Sequence, residues 1–353
     1  MKKSKIISIV FIAIIINLIA LAPAHAVSEA TCIFLMIEPG SRAGGMGHSY
    51  VSVANDAFTT WWNPGGLAEI DNTDLGLMHS NWFGDIFDDI YYEYMGYTQF
   101  IENIGTVGLN VTYMTYGEQV ATNVGGEELT KFTSDEIAIG LAYSTHAGLG
   151  WGVGVNFKGI ISRLAPFIPN TFMNGEGIGY AWVMDIGALK RDLIIPDLSF
   201  GVTLQNFGPK MNYENSTEPQ PMPTNLRVGF SYKVLNSKFN RLIVSLDANK
   251  MLVDPDPGVS WVTGIFKSFS VGDSKYQFDS IIQNFGVEYT YYNLISLRMG
   301  YVNDVVGHIR DMSFGGGLRY EFSKGKQLSF DIAIQPAGEL TANNKTFSMG
   351  LKF

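Results

Sequence analysis

Apolar and polar side chains alternate along about fourteen segments of this chain, and this repeated pattern restricts its fold more than any other feature. In one segment, Val107, Leu109 and Val111 alternate with Gly108 and Asn110. Successive side chains of a strand point to opposite faces, so each segment has one apolar and one polar face. The predicted strands lie near 74–81, 90–97, 105–116, 135–144, 149–158, 179–189, 198–207, 225–233, 240–250, 281–290, 293–302, 311–321, 326–335 and 345–353.

The composition indicates that the apolar faces meet lipid. Charged residues make up 16% of the chain and aromatic residues 13%, and there are 39 glycines. Beyond the first 26 residues, no apolar run is long enough to cross a bilayer as a helix. The pattern therefore predicts an all-β protein, a transmembrane antiparallel β-barrel of about fourteen strands with a polar lumen. A soluble β-sandwich is the alternative, but it does not need apolar outer faces on so many consecutive strands.

The lengths of the predicted connections provide an independent test of the barrel. Bacterial barrels have short periplasmic turns and longer extracellular loops. If both termini are periplasmic, the even-numbered connections should be short, and those at 145–148 and 234–239 are. The odd-numbered connections are generally longer, and the predicted ones include 117–134, 159–178, 208–224 and 251–280.

Both ends of the chain carry features of an exported barrel. Three lysines in the first five residues precede an apolar stretch from Ile6 to Leu21 and the small-x-small site Ala24-His25-Ala26. Residues 1–26 are therefore predicted to be a secretory signal peptide. An aromatic residue, Phe353, closes the last alternating run, as expected of proteins that the barrel-assembly machinery of Gram-negative bacteria recognises. The predicted location is the bacterial outer membrane.

Charge and cysteine content exclude some classes of partner and cross-link. The net charge is −9, which argues against nucleic acid as a partner. Cys32 is the only cysteine, so no internal disulfide can form. No metal-binding or cofactor-binding pattern was found, and none is predicted.

Residues 27–73 do not alternate like a barrel strand and contain a dense motif rich in glycine and aromatic residues. Its glycines permit close backbone contacts, and Asn55 or Asp56 can cap a short helix that Pro64 ends. We expect this segment to lie inside the barrel as a plug, or hatch, with the barrel proper at 74–353. The residues of the motif assigned to this role are Arg42, Gly45, Gly47, Asp56, Trp62, Asn63 and Pro64.

This motif resembles the start of the mature PorV/PorQ proteins, a family within the fourteen-stranded barrels related to the FadL fatty-acid channel. The resemblance continues through the segments 206–210, 222–229, 246–255 and 297–301. His48 and Gly66 depart from it, because the family usually has a glycine or alanine at the first position and an alanine at the second.

The resemblance implies a function in protein secretion without catalysis. PorV-like proteins are outer-membrane components of the type IX secretion system. They bind the translocon barrel, receive cargo through its C-terminal signal domain and carry that cargo to the sortase complex that attaches it to the cell surface. The implied partners are the translocon, the cargo, the sortase complex and the lipid bilayer.

Two predicted extracellular loops, 164–172 and 261–269, carry the candidate residues for binding such partners. Aromatic side chains concentrated on a loop are typical of protein interfaces. The alternative is that they belong to the aromatic girdle at the membrane surface. The candidates are Phe167 and Ile168 in the first loop, and Trp261, Val262, Ile265, Phe266 and Phe269 in the second.

Two other functions are the alternatives to this one. A FadL-like channel for hydrophobic small molecules would need an apolar lumen, whereas the positions predicted to face inward include Asn110, Arg227, Asp247, Arg298, Arg319 and Asp331. For an enzyme, the best acid–base group is His79 with Asp85, Asp88 and Asp89, which fits solvated loop acids better. No catalytic residue is assigned.

Overall fold

The computed structural model describes residues 30–84, 86–123, 125–166, 177–214, 218–254, 256, 258–338 and 343–353. The predicted signal peptide lies outside these residues. Fourteen antiparallel strands form the wall: β1 (Thr73–Asn81), β2 (Ile90–Ile101), β3 (Gly105–Thr122), β4 (Glu128–Ala147), β5 (Trp151–Ala165), β6 (Gly177–Lys190), β7 (Leu198–Phe207), β8 (Asn225–Asn236), β9 (Asn240–Met251), β10 (Ile282–Tyr291), β11 (Ile295–Asp304), β12 (Ile309–Ser323), β13 (Lys326–Pro336) and β14 (Asn343–Lys352).

The wall is closed, which confirms the predicted barrel. Each strand pairs with its neighbours along the chain, and β14 pairs with β1 from Asp74 opposite Lys352 to Ser80 opposite Thr346. In the described wall every strand therefore has a paired neighbour on each side, as a spanning sheet requires. A further two-residue strand, Asn212–Tyr213, pairs with Gly179 and Tyr180 of β6 beyond the part of β6 that β7 covers.

Alternating burial along the strands confirms which face is the lumen. Asn110 and Arg227 are each 1% exposed, whereas the outward-facing Leu141 and Leu297 are more than 60% exposed. The polar set therefore points inward and the apolar set points to lipid. None of the helices in the described ranges has the length and hydropathy of a membrane-spanning helix.

The connections follow the predicted alternation at most positions. Even-numbered turns such as 148–150 and 324–325 are short, and the longest odd-numbered connections are 208–224 and 252–281. We therefore place the odd-numbered connections on the extracellular side. The β11–β12 turn at 305–308 is an exception, because it is as short as a periplasmic turn.

The prediction that residues 117–134 form a loop is wrong. β3 and β4 continue as a paired hairpin through Thr122 and Glu128, and the turn occupies only 123–127. This extension mixes polar and apolar side chains, including the ion pair between Glu118 and Lys131 and the exposed Val120 and Leu129. Because both faces meet water there, the period-two signal disappears although the strands do not.

Residues 30–72, named here the inner segment, lie within the barrel. They contain helices α1 (Ser41–Gly45) and α2 (Thr59–Trp62) and two 3₁₀ turns, Ile33–Met36 and Pro64–Glu69. Their aromatic and aliphatic side chains form the main core together with inward residues of β1–β3 such as Tyr92 and Met114. Two more helices, α3 (Trp261–Lys267) and α4 (Ser274–Asp279), lie in the β9–β10 connection.

Candidate functional site

A chain of buried ion pairs, which starts at Arg42 of α1, joins the inner segment to the wall. The Arg42 guanidinium donates two hydrogen bonds of 2.8 Å to the carboxylate of Glu288 and a third, of 2.9 Å, to the Tyr50 hydroxyl. Glu288 also accepts from Arg298, at 2.7 Å, and Arg298 donates to Asp331 at 2.6 Å. Such bidentate, charge-assisted contacts are strong and directional. They connect the inner segment to β10, β11 and β13.

Asp56 organises the turn that leads into α2. Its carboxylate accepts from the Tyr50 hydroxyl at 2.5 Å and from the backbone N–H of Phe58 at 3.2 Å. Its own N–H donates to the Thr59 hydroxyl at 3.1 Å. The Asp56 side chain therefore satisfies the Phe58 N–H ahead of the helix and connects α2 to the Arg42 network.

A second buried charge cluster surrounds Glu38. Arg227 of β8 donates to the Glu38 carboxylate, and Nδ1 of His48 lies 2.6 Å from it. The Arg227 guanidinium also stacks 4.9 Å from the centre of the Trp62 ring. Burial alone would raise the pKa of Glu38, but the charges of Arg227 and His48 outweigh it and lower the pKa to about 2. His48, the departure from the family motif, is thus a partner of a buried acid.

Polar side chains of the wall also bind the backbone of the inner segment. The N–H groups of Tyr50 and Val51 donate to one carboxylate oxygen of Asp247, at 2.7 and 2.8 Å. The side-chain amide of Asn284 donates to the Gly47 carbonyl at 2.7 Å. These bonds satisfy backbone groups in a segment with little regular structure, where they would otherwise be buried without partners.

Gly45 and Gly47 lie where the inner segment touches the wall most closely. Gly47 has φ +60°, and a Cβ on it would lie 2.6 Å from the backbone nitrogen of Tyr301. On the wall side, a Cβ on Gly300 would lie 2.0 Å from the backbone nitrogen of Gly47. A Cβ on Gly45 would lie 2.9 Å from Cα of Gly315. Side chains at these positions would separate the two surfaces.

Trp62, Asn63 and Pro64 fix the other end of the inner segment. The Trp62 indole is fully buried and donates to the Pro39 carbonyl at 2.8 Å. The Asn63 side chain donates to the carbonyls of Val51 and Ala188 and accepts from the N–H of Gly65. Pro64 is the first residue of a 3₁₀ turn, a position that needs no N–H donor. All seven predicted motif residues therefore lie at one internal interface.

The second candidate loop splits into a packed side and an exposed side. Trp261 is half-buried, with its ring centroid 4.6 Å from that of Phe207 in β7, and Ile265 is also half-buried. Val262, Phe266 and Phe269 are exposed and lie four and three residues apart along α3 and the 3₁₀ turn that follows it. Phe266 is 73% exposed. We call these three exposed residues the outer stripe.

The remaining sequence candidates contribute less to this picture. Phe167 and Ile168 lie outside the described residues. His79 contacts Glu93 at 2.7 Å and Asn81 at 2.8 Å, while Asp89 accepts from the backbone of Glu118. Across the described ranges, no group of three or more His, Cys, Asp or Glu residues is arranged to hold a metal ion.

The sequence did not predict that Glu38 and Glu288 lie at the interface between the inner segment and the wall. Glu288 is fully buried and Glu38 is mostly buried, and each has a partner distant along the chain, as Arg42 is from Glu288. The only available signal was the position of Glu288 on the inward face of a strand, in register with Arg298 of β11.

Solved structures share this architecture. The P. putida toluene transporter TodX is 12% identical, with 89% of this chain and 96% of that chain covered and a TM-score of 0.51. The monoaromatic hydrocarbon channel CymD is 13% identical over the same shares, also with a TM-score of 0.51. At these identities the likeness shows the fold alone. A comparison with the curated proteins gives no match.

A family model described as type IX secretion system protein PorV matches residues 22–170 and 196–259. The first matched segment contains the whole inner segment, and the second includes the wall residues Arg227 and Asp247 that bind it. The outer stripe begins just after the second matched segment ends. Because the match covers more than half of a chain that folds as a closed fourteen-stranded barrel, the chain belongs to the PorV family and is a protein of the bacterial outer membrane.

Proposed function

We propose that this chain works in type IX secretion as a protein-binding barrel that receives cargo by its C-terminal signal domain and passes it to the surface-attachment machinery. Family membership supports the place in the secretion system, and the outer stripe supports the mode of action. An exposed row of Val262, Phe266 and Phe269 on the extracellular side is the one observation that carries the binding role. Exposed aromatic clusters are typical of interfaces with protein partners.

The division of the chain follows from this proposal. Residues 1–26 act as the signal peptide, 27–73 as a plug and 74–353 as the barrel. The ion pairs of Arg42 and Glu38 with the wall support a plug that stays in place while partners bind outside. Breaking a buried ion pair is costly because it leaves a charge without compensation.

Trp261 gives the outer stripe a fixed base. Its contact with Phe207 attaches α3 to the top of β7, so the stripe is presented by a supported helix. A surface that is already ordered loses less conformational entropy when a partner binds. The translocon and the cargo signal domain are the two partners we propose for this face.

The test compares the surface and culture-medium proteomes of cells with and without this gene. Proteins with a shared C-terminal signal domain should disappear from the surface and accumulate in the periplasm when the gene is deleted. Complementation with the intact gene controls for effects on neighbouring genes. Unchanged secretion would refute the proposal.

A second candidate is uptake of small hydrophobic molecules, because TodX, whose fold is similar, is a toluene transporter. The ion-paired side chains Arg298 and Asp331 weigh against it, since they put charged groups on the β11–β13 side of the lumen. Toluene uptake by cells with and without the gene separates the two functions. We expect equal rates, and a gene-dependent rate would favour the channel.

A further inference from the structure

A polar cavity of about 300 Å³ lies between the inner segment and the periplasmic ends of the strands. Its walls include Asn293 of the β10–β11 turn and residues near the ends of β9, β12, β13 and β14. Those ends face the periplasm because the short turns do. The cavity is independent of the outer stripe, which lies at the opposite rim.

The acidic residues of this cavity already have partners. Asp56 accepts from Tyr50, and Asp331 accepts from Arg298. Asp74 is attracted to Lys352 and, more weakly, to Arg319. Glu321 accepts from the N–H of Gly325 at 3.2 Å.

Two arginines of the cavity, Arg241 and Arg319, have no bonded partner for their side chains. Both line the cavity, from β9 and β12, on the inward faces that also carry Ser245 and Ser313. Neither guanidinium makes a hydrogen bond or ion pair with any residue in the described ranges. Nε of Arg241 is buried without a partner. Arg42 repels both guanidiniums and Arg319 repels Arg241, while Glu288 attracts both from a distance without forming an ion pair with either. Holding two partly buried cations close together without a directly bonded anion is unfavourable.

We propose that Arg241 and Arg319 form a binding site for a phosphate-type oxyanion at the periplasmic mouth of the barrel. Two planar guanidinium forks match the oxygens of a phosphate, and two unpaired positive charges match a dianion better than a single carboxylate. The volume accommodates a phosphate group with water or a small substituent. The group can be free phosphate or the head of a phosphorylated lipid, since both present the same oxygens.

Calorimetric titration of the full-length protein in phosphatidylcholine nanodiscs tests the site. One arm uses inorganic phosphate and the other uses dihexanoyl phosphatidic acid, which presents the same group on a lipid. Binding of both at one equivalent supports a site for the group itself. Binding of the lipid alone identifies a headgroup site, and binding of phosphate alone identifies a free-anion site. Absence of binding in both arms overturns the proposal.

Substitutions of Arg241 and Arg319 test whether these two side chains bind the phosphate group. Arg241→Gln and Arg319→Gln should each weaken binding roughly 10-fold to 100-fold, the loss expected for a charge-assisted contact. Arg163→Gln is the matched control, because Arg163 pairs with Asp135 on the extracellular side and should leave binding unchanged. Equal affinity in the intact protein and the two cavity variants would overturn the proposal.

Lysine variants provide a second test in case the glutamine variants do not fold. Arg241→Lys and Arg319→Lys keep the charge but lose the fork, so they should bind with intermediate affinity. If the glutamine variants fail to fold, the lysine variants decide: full affinity in both would contradict recognition by the guanidinium forks.

Discussion

The inner segment and the outer stripe both present aromatic side chains, but only the inner segment has them enclosed. Trp62 is completely buried and bonded, whereas Phe266 is 73% exposed. Buried aromatic and charged groups stabilise the folded state, while an exposed phenyl ring contributes little to it. The comparison teaches that this barrel fixes its interior and leaves its apolar surface for contacts outside the molecule. The predictions below test that division, in order of expected effect on stability.

Arg42→Ala should have the largest effect. It removes a bidentate partner from buried Glu288, and breaking such a pair costs about 3–5 kcal/mol of the free energy of unfolding. Urea unfolding of the purified barrel measures this loss. Arg163→Ala removes the largely exposed partner of Asp135 and should cost less than about 1 kcal/mol. Equal losses in the two variants would mean that the inner segment is not fixed by its ion pairs.

Gly300→Ala should destabilise the barrel by about 1–3 kcal/mol, the usual cost of overpacking. The new Cβ would lie 2.0 Å from the backbone nitrogen of Gly47 and would force the inner segment away from β11. Urea unfolding of the purified barrel measures this loss of stability. Gly159→Ala is the control, because no atom lies within 4 Å of the Cβ it would add. A neutral Gly300→Ala variant would contradict the close contact.

Acid should weaken the interior through Glu38. Its folded-state pKa is lowered from the usual 4.5 to about 2. Its stabilising contribution is therefore complete above about pH 4.5 and is lost as the pH falls from there towards 2. Unfolding measured across this range should show the decline.

Glu38→Gln provides the comparison for the acid effect. It should be less stable at neutral pH, and its stability should fall less between pH 4.5 and 2, because the titrating group has been removed. The same pH dependence in both proteins would assign the acid effect to other carboxylates.

Replacing Phe266 and Phe269 together with serine should have the smallest effect on stability, within about 0.5 kcal/mol, because both rings are exposed. Surface delivery of cargo should nevertheless fall in cells that carry this variant. Ile194→Ser, at an 82% exposed position in a periplasmic turn, should change neither property. Normal delivery by the double variant would remove the outer stripe from the proposed function.

The wall of the barrel was predictable from sequence because each strand carries its own signal. Fourteen alternating runs gave fourteen strands, and the ends of β7 at Leu198 and Phe207 agree with the prediction. The extension of β3 and β4 was missed, since alternation is visible only where one face meets lipid and the other does not.

The interior was predictable only in part. The motif around Arg42 and Trp62 indicated a compact segment, but its pairing with Glu288 joins residues 246 positions apart, which no local spacing can reveal. In the outer loop, near-helical spacing indicated an interface without showing that Trp261 packs on Phe207 while Phe266 points away. Both details depend on which strands, distant along the chain, lie close in the folded structure.

The seam between β1 and β14 has a consequence for the order of assembly. It joins Asp74 to Lys352, whereas the other neighbouring strands of the described wall are consecutive along the chain. Contacts between distant residues carry the larger entropic cost of loop closure, so the hairpins form early and the seam forms late. The inner segment directly precedes β1 and bonds to the wall as far away as Ser348 of β14. We therefore expect the growing sheet to curl around residues 30–72 and to enclose them when the seam closes.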